Sequence, residues 1–265
     1  MVTQEQAPQR SRSVLPRLLA IVVTVVLVLV ALNWVAWALR SGERDTHPIE
    51  DTFDRVDVDV EAGSVMIEAS SDGTASLTAT TEAALFSDAD VSFEVENGEL
   101  TVVGDCSGGL WLVSWGRCHV DVVLRVPADV TVVAESGAGR MTTAGLTGSA
   151  DVRSSAGAVR VNGHTGPLRA HSSAGGVTIT GLASDDAEIT SSAGSVEVTA
   201  IEPPSSLRAS SSAGGVTVTL PSRGSYNLDA DSSAGSTTVD VPTDPSSPYR
   251  VEAKSSAGNV TVRGS

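Results

Sequence analysis

The tetrapeptide Ser-Ser-Ala-Gly occurs six times between Ser154 and Gly258, and a variant, Ser-Gly-Ala-Gly, ends at Gly139. Aligning the glycines, Gly139, Gly157, Gly175, Gly194, Gly214, Gly235 and Gly258, gives spacings of 18, 18, 19, 20, 21 and 23 residues. Such self-similarity is the signature of a repeat architecture. Before each tetrapeptide, small or aliphatic residues alternate with polar ones: Val132/Ala134, Ala150/Val152, Leu168/Ala170, Ala187/Ile189, Leu207/Ala209, Leu228/Ala230 and Val251/Ala253. After each regular glycine a second alternation follows: Val159/Val161, Val177/Ile179, Val196/Val198, Val216/Val218, Thr237/Val239 and Val260/Val262, broken once, at Thr237. A period of two is that of a strand.

Each repeat therefore reads as strand, corner, strand, loop. Two short strands bury too little apolar surface to stand alone, so the repeats must stack, each strand pairing in parallel with its copy in the next repeat. The expected fold is an all-β parallel β-solenoid. Extending the first alternation turns the leading serines inward at the corner (Ser136, Ser154, Ser172, Ser191, Ser211, Ser232, Ser255), where small residues fit. The seven glycines supply either a positive φ or a close backbone approach, both of which other residues adopt at a cost. Residues 134–265 form this regular region. Residues 51–133 alternate less regularly, with Gly63 and Gly98 at turns, and read as irregular N-terminal rungs.

Outward positions form columns. One carries Asp151, Arg169, Glu188, Arg208, Asp229 and Glu252, whose alternating signs favour correct register by a few tenths to about 1 kcal/mol per pair. Another carries Thr142, Thr178, Thr217, Thr238 and Thr261. A threonine array can order water, but Arg160 and Glu197 interrupt it and threonine is an ordinary exposed strand residue, so ice binding is disfavoured.

The segment Leu18 to Leu39 has no charged residue over 22 positions, against the roughly 20 a bilayer requires. It is expected to be a single transmembrane helix. Arg10, Arg12 and Arg17 precede it, which places residues 1–17 in the cytoplasm and the rest outside. A cleaved signal peptide is the alternative, because Ala36-Trp37-Ala38 has the small-x-small form, although the apolar run exceeds the roughly 7 to 15 residues of a signal core. Residues 40–50 read as a polar linker.

Residues 41–265 carry 13 basic and 31 acidic side chains, a formal charge of −18, which disfavours nucleic acid as a partner. The two cysteines, Cys106 and Cys118, are expected to form a disulfide in an oxidising compartment. Between them lie Leu110, Trp111, Leu112 and Trp115. This loop is either a contact patch for a partner or a cover over one end of the β-structure.

Catalysis is not expected. His47, His119, His164 and His171 are scattered, Asp185-Asp186 falls in a loop, and no Cys/His cluster has metal spacing. A polysaccharide-cleaving β-helix would gather carboxylates beneath long loops, and the loops here are short. No cofactor or metal is expected.

The run "LRVPADVTVVAESGAG", Leu124 to Gly139, followed by the Ser-Ser-Ala-Gly corners, resembles the bacterial family of "putative adhesins" of unassigned function. The resemblance implies an extracytoplasmic solenoid and brings no catalytic residues. The expected function is a membrane-anchored envelope protein that presents its solenoid to an unidentified envelope protein or polymer. The alternative is a scaffold that polymerises through solenoid ends, with weak self-association through the strand ending near Ser265, deterred by Lys254 and Arg263.

Overall fold

The computed structural model describes residues 23–24, 27–28, 30–31, 43–82, 88–107 and 119–265. Two compact units are present, Met1–Ser41 and Gly42–Ser265. In the first, the described residues Val23, Thr24, Leu27, Val28, Val30 and Ala31 are helical. The rest of the apolar run Leu18–Leu39 lies outside the described residues, among which no helix is long and apolar enough to cross a membrane.

Among its described residues the second unit is all-β, with 21 strands in one eleven-stranded and one ten-stranded sheet. Its regular rungs each give one strand to each sheet. In order they are β8 (Thr131–Ala138) and β9 (Met141–Ala144), β10 (Ala150–Ser154) and β11 (Val159–Asn162), β12 (Leu168–Ser172) and β13 (Val177–Leu182). Then follow β14 (Asp186–Ser191) and β15 (Val196–Ala200), β16 (Ser206–Ser211) and β17 (Val216–Leu220), β18 (Asn227–Ser232) and β19 (Thr237–Asp240), β20 (Arg250–Ser255) and β21 (Val260–Gly264). All pair in parallel, in the register that the repeats define: Ser154 meets Ser172, which meets Ser191, which meets Ser211.

The alternation becomes a core between the sheets. Leu168, Ala170, Val177 and Ile179 of one rung are all at most 2% exposed, and their copies above and below continue the stack. Full burial of a Val, Leu or Ile side chain is worth roughly 1.5–3 kcal/mol, so a rung gains most of its stability from neighbours.

The corner serines form a ladder. Ser172 Oγ donates to Gly157 O at 2.8 Å, Ser191 Oγ to Gly175 O at 2.9 Å, and Ser211 Oγ to Gly194 O at 2.7 Å. Each hydroxyl thereby satisfies the carbonyl of the rung before it. Ser172 and Ser191 also accept from the N–H of Gly175 and Gly194 in their own corners.

The corner glycines differ in part from expectation. Gly157, Gly175, Gly194, Gly214, Gly235 and Gly258 are not among the positive-φ residues, whereas Gly139 is, at 156°. The reason for glycine at the other six is close approach, since a Cβ at Gly194 would overlap Gly175 O and the same clash recurs from rung to rung. The positive-φ column lies at the opposite corner, at Gly145, Gly163 and Gly181.

The rungs are not stacked in chain order. β17 pairs with β21, and β21 with β19; β16 pairs with β20, and β20 with β18. The repeat at residues 250–264 is thus inserted between two earlier repeats, and the outermost rung is β18–β19. Lys254 and Arg263, expected on an edge, are interior to the stack. Thr237, the one polar residue in its inward column, sits on that outermost rung and is exposed. The crossing connections are tied by the chain's two tyrosines, Tyr226 and Tyr249, whose rings lie 6.2 Å apart, and Tyr226 donates to Pro221 O at 2.7 Å.

The N-terminal part departs further. β2 (Arg55–Ala62) and β3 (Val65–Ala69) form a parallel rung between β8–β9 on one side and β6 (Glu99–Ser107) and β7 (His119–Val126) on the other. Among the described residues three strands are antiparallel: β1 (Glu43–Ile49) on β4 (Ala75–Glu82), β4 on β7, and β5 (Asp88–Glu96) on β6. Most of the expected polar linker, 40–50, is therefore the edge strand β1. Pro48 and exposed Asp45 occupy that edge, and neither favours further pairing.

Candidate interaction surface

Outward side chains of the ten-stranded sheet follow the spatial order of the rungs. The sign-alternating column runs Asp151, Arg169, Glu188, Arg208, Glu252, Asp229. Arg169 lies 3.6 Å from Glu188 and Arg208 3.4 Å from Glu252. The last two members are both acidic, and Lys254 in the next column bridges them, 2.6 Å from Glu252 and 2.9 Å from Asp229. The hydrogen bonds that the ammonium donates to Glu252 and Asp229, with the charges of those carboxylates, hold its pKa above the ordinary value.

Toward the other end the same face turns acidic. Burial, then the charge of Glu99, raises the carboxyl pKa of Asp57; burial, then Glu135, raises that of Asp59. Arg153 offsets part of this field through Glu135 at 3.0 Å and Asp151 at 2.8 Å. Among the described residues no group of His, Cys, Asp or Glu is placed to hold a metal ion.

The eleven-stranded sheet presents a neutral face. Its outward column reads Thr142, Arg160, Thr178, Glu197, Thr217, Thr261, Thr238. The insertion brings Thr217, Thr261 and Thr238 together, yet Arg160 and Glu197 still divide the array.

Among the described residues Ser64, Asp121 and His119 form a Ser/Asp/His contact that is not nucleophilic in geometry. Ser64 Oγ donates to Asp121 Oδ1, and His119 Nε2 lies 3.0 Å from the same oxygen. A base must face the hydroxyl it activates, with the carboxylate behind it. Here the carboxylate stands between them. His171 caps Thr190 at 2.7 Å, and His164 is 1% exposed with Nε2 3.3 Å from Pro167 O and Nδ1 without a partner. Burial pushes the His164 pKa down. Of the acidic pair expected in a loop, Asp185 lies there and accepts from Ser205 at 3.1 Å, whereas Asp186 is the first residue of β14.

Cys106 is disulfide-bonded, and the sequence holds one other cysteine, Cys118. Residues 108–118, which join β6 to β7 and include Leu110, Trp111, Leu112, Trp115 and Cys118, lie outside the described residues.

Sequence reasoning missed the outermost rung. On β18–β19 the inward residues Leu228 and Ala230 are half-buried and Val239 is 43% exposed, whereas their copies in interior rungs are closed off. With Tyr226, Asn227, Thr243 and Pro245 they line a cleft of about 260 Å³. Thr237 was the visible signal of this position.

The family model that matches is "Toastrack DUF4097", over residues 53–263. No curated protein matches. Among solved structures, a "putative cell adhesion protein" from Clostridium sporogenes is 10% identical, covering 85% of this chain and 100% of that one, at a TM-score of 0.41. A "putative adhesin" from Bacteroides fragilis is 15% identical, covering 85% and 98%, at 0.43. One from Parabacteroides merdae is 12% identical, covering 84% and 97%, at 0.39.

Proposed function

The chain belongs to the Toastrack DUF4097 family, and we propose that it is a membrane-anchored envelope protein whose β-solenoid is a non-enzymatic surface for adhesion or interaction. The observation that carries this reading is the register-locked stack. Serine ladder and valine core hold each rung fixed to the next, so outward side chains stand in rigid columns that a partner can engage without ordering a loop. The uncharged run Leu18–Leu39, preceded by Arg10, Arg12 and Arg17, supports an anchor with the solenoid outside.

Polymerisation through the ends is the weaker reading. The outermost rung carries Asp229, Asp231 and Asp240, and the opposite end carries Asp90, Glu94 and Glu96 on β5. Like charges at both ends oppose head-to-tail stacking.

Fractionation with intact-cell labelling tests the reading. The full-length chain should remain in washed membranes, and Ile201→Cys, at a 62% exposed position, should react with a membrane-impermeant thiol reagent on intact cells. Cells lacking residues 43–265 should attach less well to one another or to surfaces. Labelling only after lysis, or unchanged attachment, overturns it.

A further inference from the structure

We infer that the β18–β19 end is a docking site for an extended segment of another protein, in which Lys or Arg residues alternate with small aliphatic ones. The inference rests on the display reading above and names where and by what the surface is engaged. Among the described residues, β18 and β19 each have a strand partner on one side alone, β20 and β21 respectively. At the entry to β18 the outer edge is taken up by the Pro242–Asp244 segment, since Tyr226 N–H donates to Pro242 O and Tyr226 O accepts from Asp244 N–H, so the stretch left without a strand neighbour runs from Leu228 along β18 and along β19. Such edges are templates for strand addition.

The inward side chains are also incomplete. Interior copies such as Val251, Ala253, Val260 and Val262 are fully buried, whereas Leu228, Ala230 and Val239 border the open cleft. A strand–corner–strand segment with aliphatic inward residues would close that cleft as each interior rung closes its neighbour.

Charge selects the partner. The charged outward positions of the end rung are Asp229, Asp231 and Asp240, each already beside one interior partner of the stack: Glu252, Lys254 and Arg263. Asp229 and Glu252 share the single ammonium of Lys254. The next rung out is therefore favoured by a cation opposite each of the three aspartates. A second copy of this chain does not provide this. Its own open rung presents the same three aspartates, and β5 at its other end is acidic and antiparallel to β6.

A defined peptide tests this with the full-length chain. The probe is the Ser205–Leu220 sequence carrying Ser210→Lys and Thr219→Arg, which with Arg208 sets three cations in register with Asp229, Asp231 and Asp240. Its control has Glu at positions 208, 210 and 219. The basic peptide should bind saturably, at least tenfold more tightly than the control, more weakly as salt rises, and should slow amide exchange at Asn227–Ser232 and Thr237–Asp240. Asp229→Asn with Asp231→Asn and Asp240→Asn should erase the preference while the exchange of interior rungs is unchanged. No saturable binding, equal binding of both peptides, or protection elsewhere overturns the proposal. So does self-association of the chain that protects the same amides, which makes the occupant a second copy. Surface labelling and attachment that persist while the peptide fails locate the error in the partner and leave the display reading standing.

Discussion

Arg208 Nε lies 3.4 Å from Glu252 Oε2, although the repeat containing Asp229 separates them in the chain. That contact reports the insertion of β20–β21 between β16–β17 and β18–β19. A double-mutant cycle between Arg208 and Glu252 should give a coupling of about 0.2–1 kcal/mol, the range of exposed pairs. The cycle between Arg208 and Asp229 should give none. Urea melts of the full chain measure both, and coupling to Asp229 in place of Glu252 would return the stack to chain order.

The corner glycines give a steric contrast. Gly194→Val sets a side chain against Gly175 O, a backbone atom that can move only by opening the ladder, and is expected to cost roughly 1–3 kcal/mol or more. Gly163→Ala meets nothing within 4 Å and is penalised by its φ of +64° alone, about 1 kcal/mol. Gly163→Asn should recover part of that loss, because Asn tolerates the left-handed region. Thermal melts should rank the three in that order, and equal losses at Gly194 and Gly163 would refute the close-approach account.

His164 sets an acid limit. Burial holds its imidazole pKa below the usual value of about 6.5, so the unfolded chain takes up a proton at a pH where the folded chain does not. Its contribution is fully present above about 6.5 and is lost as pH falls from there toward the depressed folded value. Backbone bonds place it between Leu146 and Leu182 of the adjacent rungs, at the same corner. His164→Leu should therefore flatten the stability profile below pH 6.5 and leave the serine ladder intact. An unchanged acid slope would show that other groups set it.

The regular rungs were legible because the period of two, the corner words and the inward serines all describe contacts with the adjacent rung. Which rung is adjacent was not legible. Every repeat offers nearly the same inward surface, so Leu207/Ala209 packs as well on Val251/Ala253 as on Leu228/Ala230, and the choice falls to the connections held by Tyr226 and Tyr249. Thr237 and the adjacent acids Glu252 and Asp229 were traces of it. The antiparallel β1, β4 and β5 were hidden for a related reason, since alternation shows a strand and not its direction.

The disulfide loop has a chemical test. With Cys106 bonded and Cys118 its one available partner in the chain, the unreduced monomer should show no titratable thiol. Trp111→Ala with Trp115→Ala should leave the melt of the solenoid unchanged if the indoles form a contact patch, and lower it if they cover its end. A free thiol in the monomer would refute the pairing.

Lys254 gives the last prediction. Its ammonium lies 2.6 Å from Glu252 and 2.9 Å from Asp229, on two neighbouring strands, and those carboxylates follow one another in a column where every earlier step from Asp151 is between opposite signs. Removing the cation leaves two like charges on adjacent strands with water alone between them. The strand that yields should be β18, which is held on one side, and not β20, which is held on both. Lys254→Val is therefore expected to speed amide exchange across Asn227–Ser232 while Val251 and Ala253 stay protected, and added salt should reverse part of the change. Lys254→Arg should retain the native pattern. An edge position for Lys254 makes the opposite prediction, that valine lets chains join end to end, so light scattering on the same samples separates the two: a monomeric variant with a frayed β18 fits the inserted rung, and concentration-dependent growth with β18 protected refutes it.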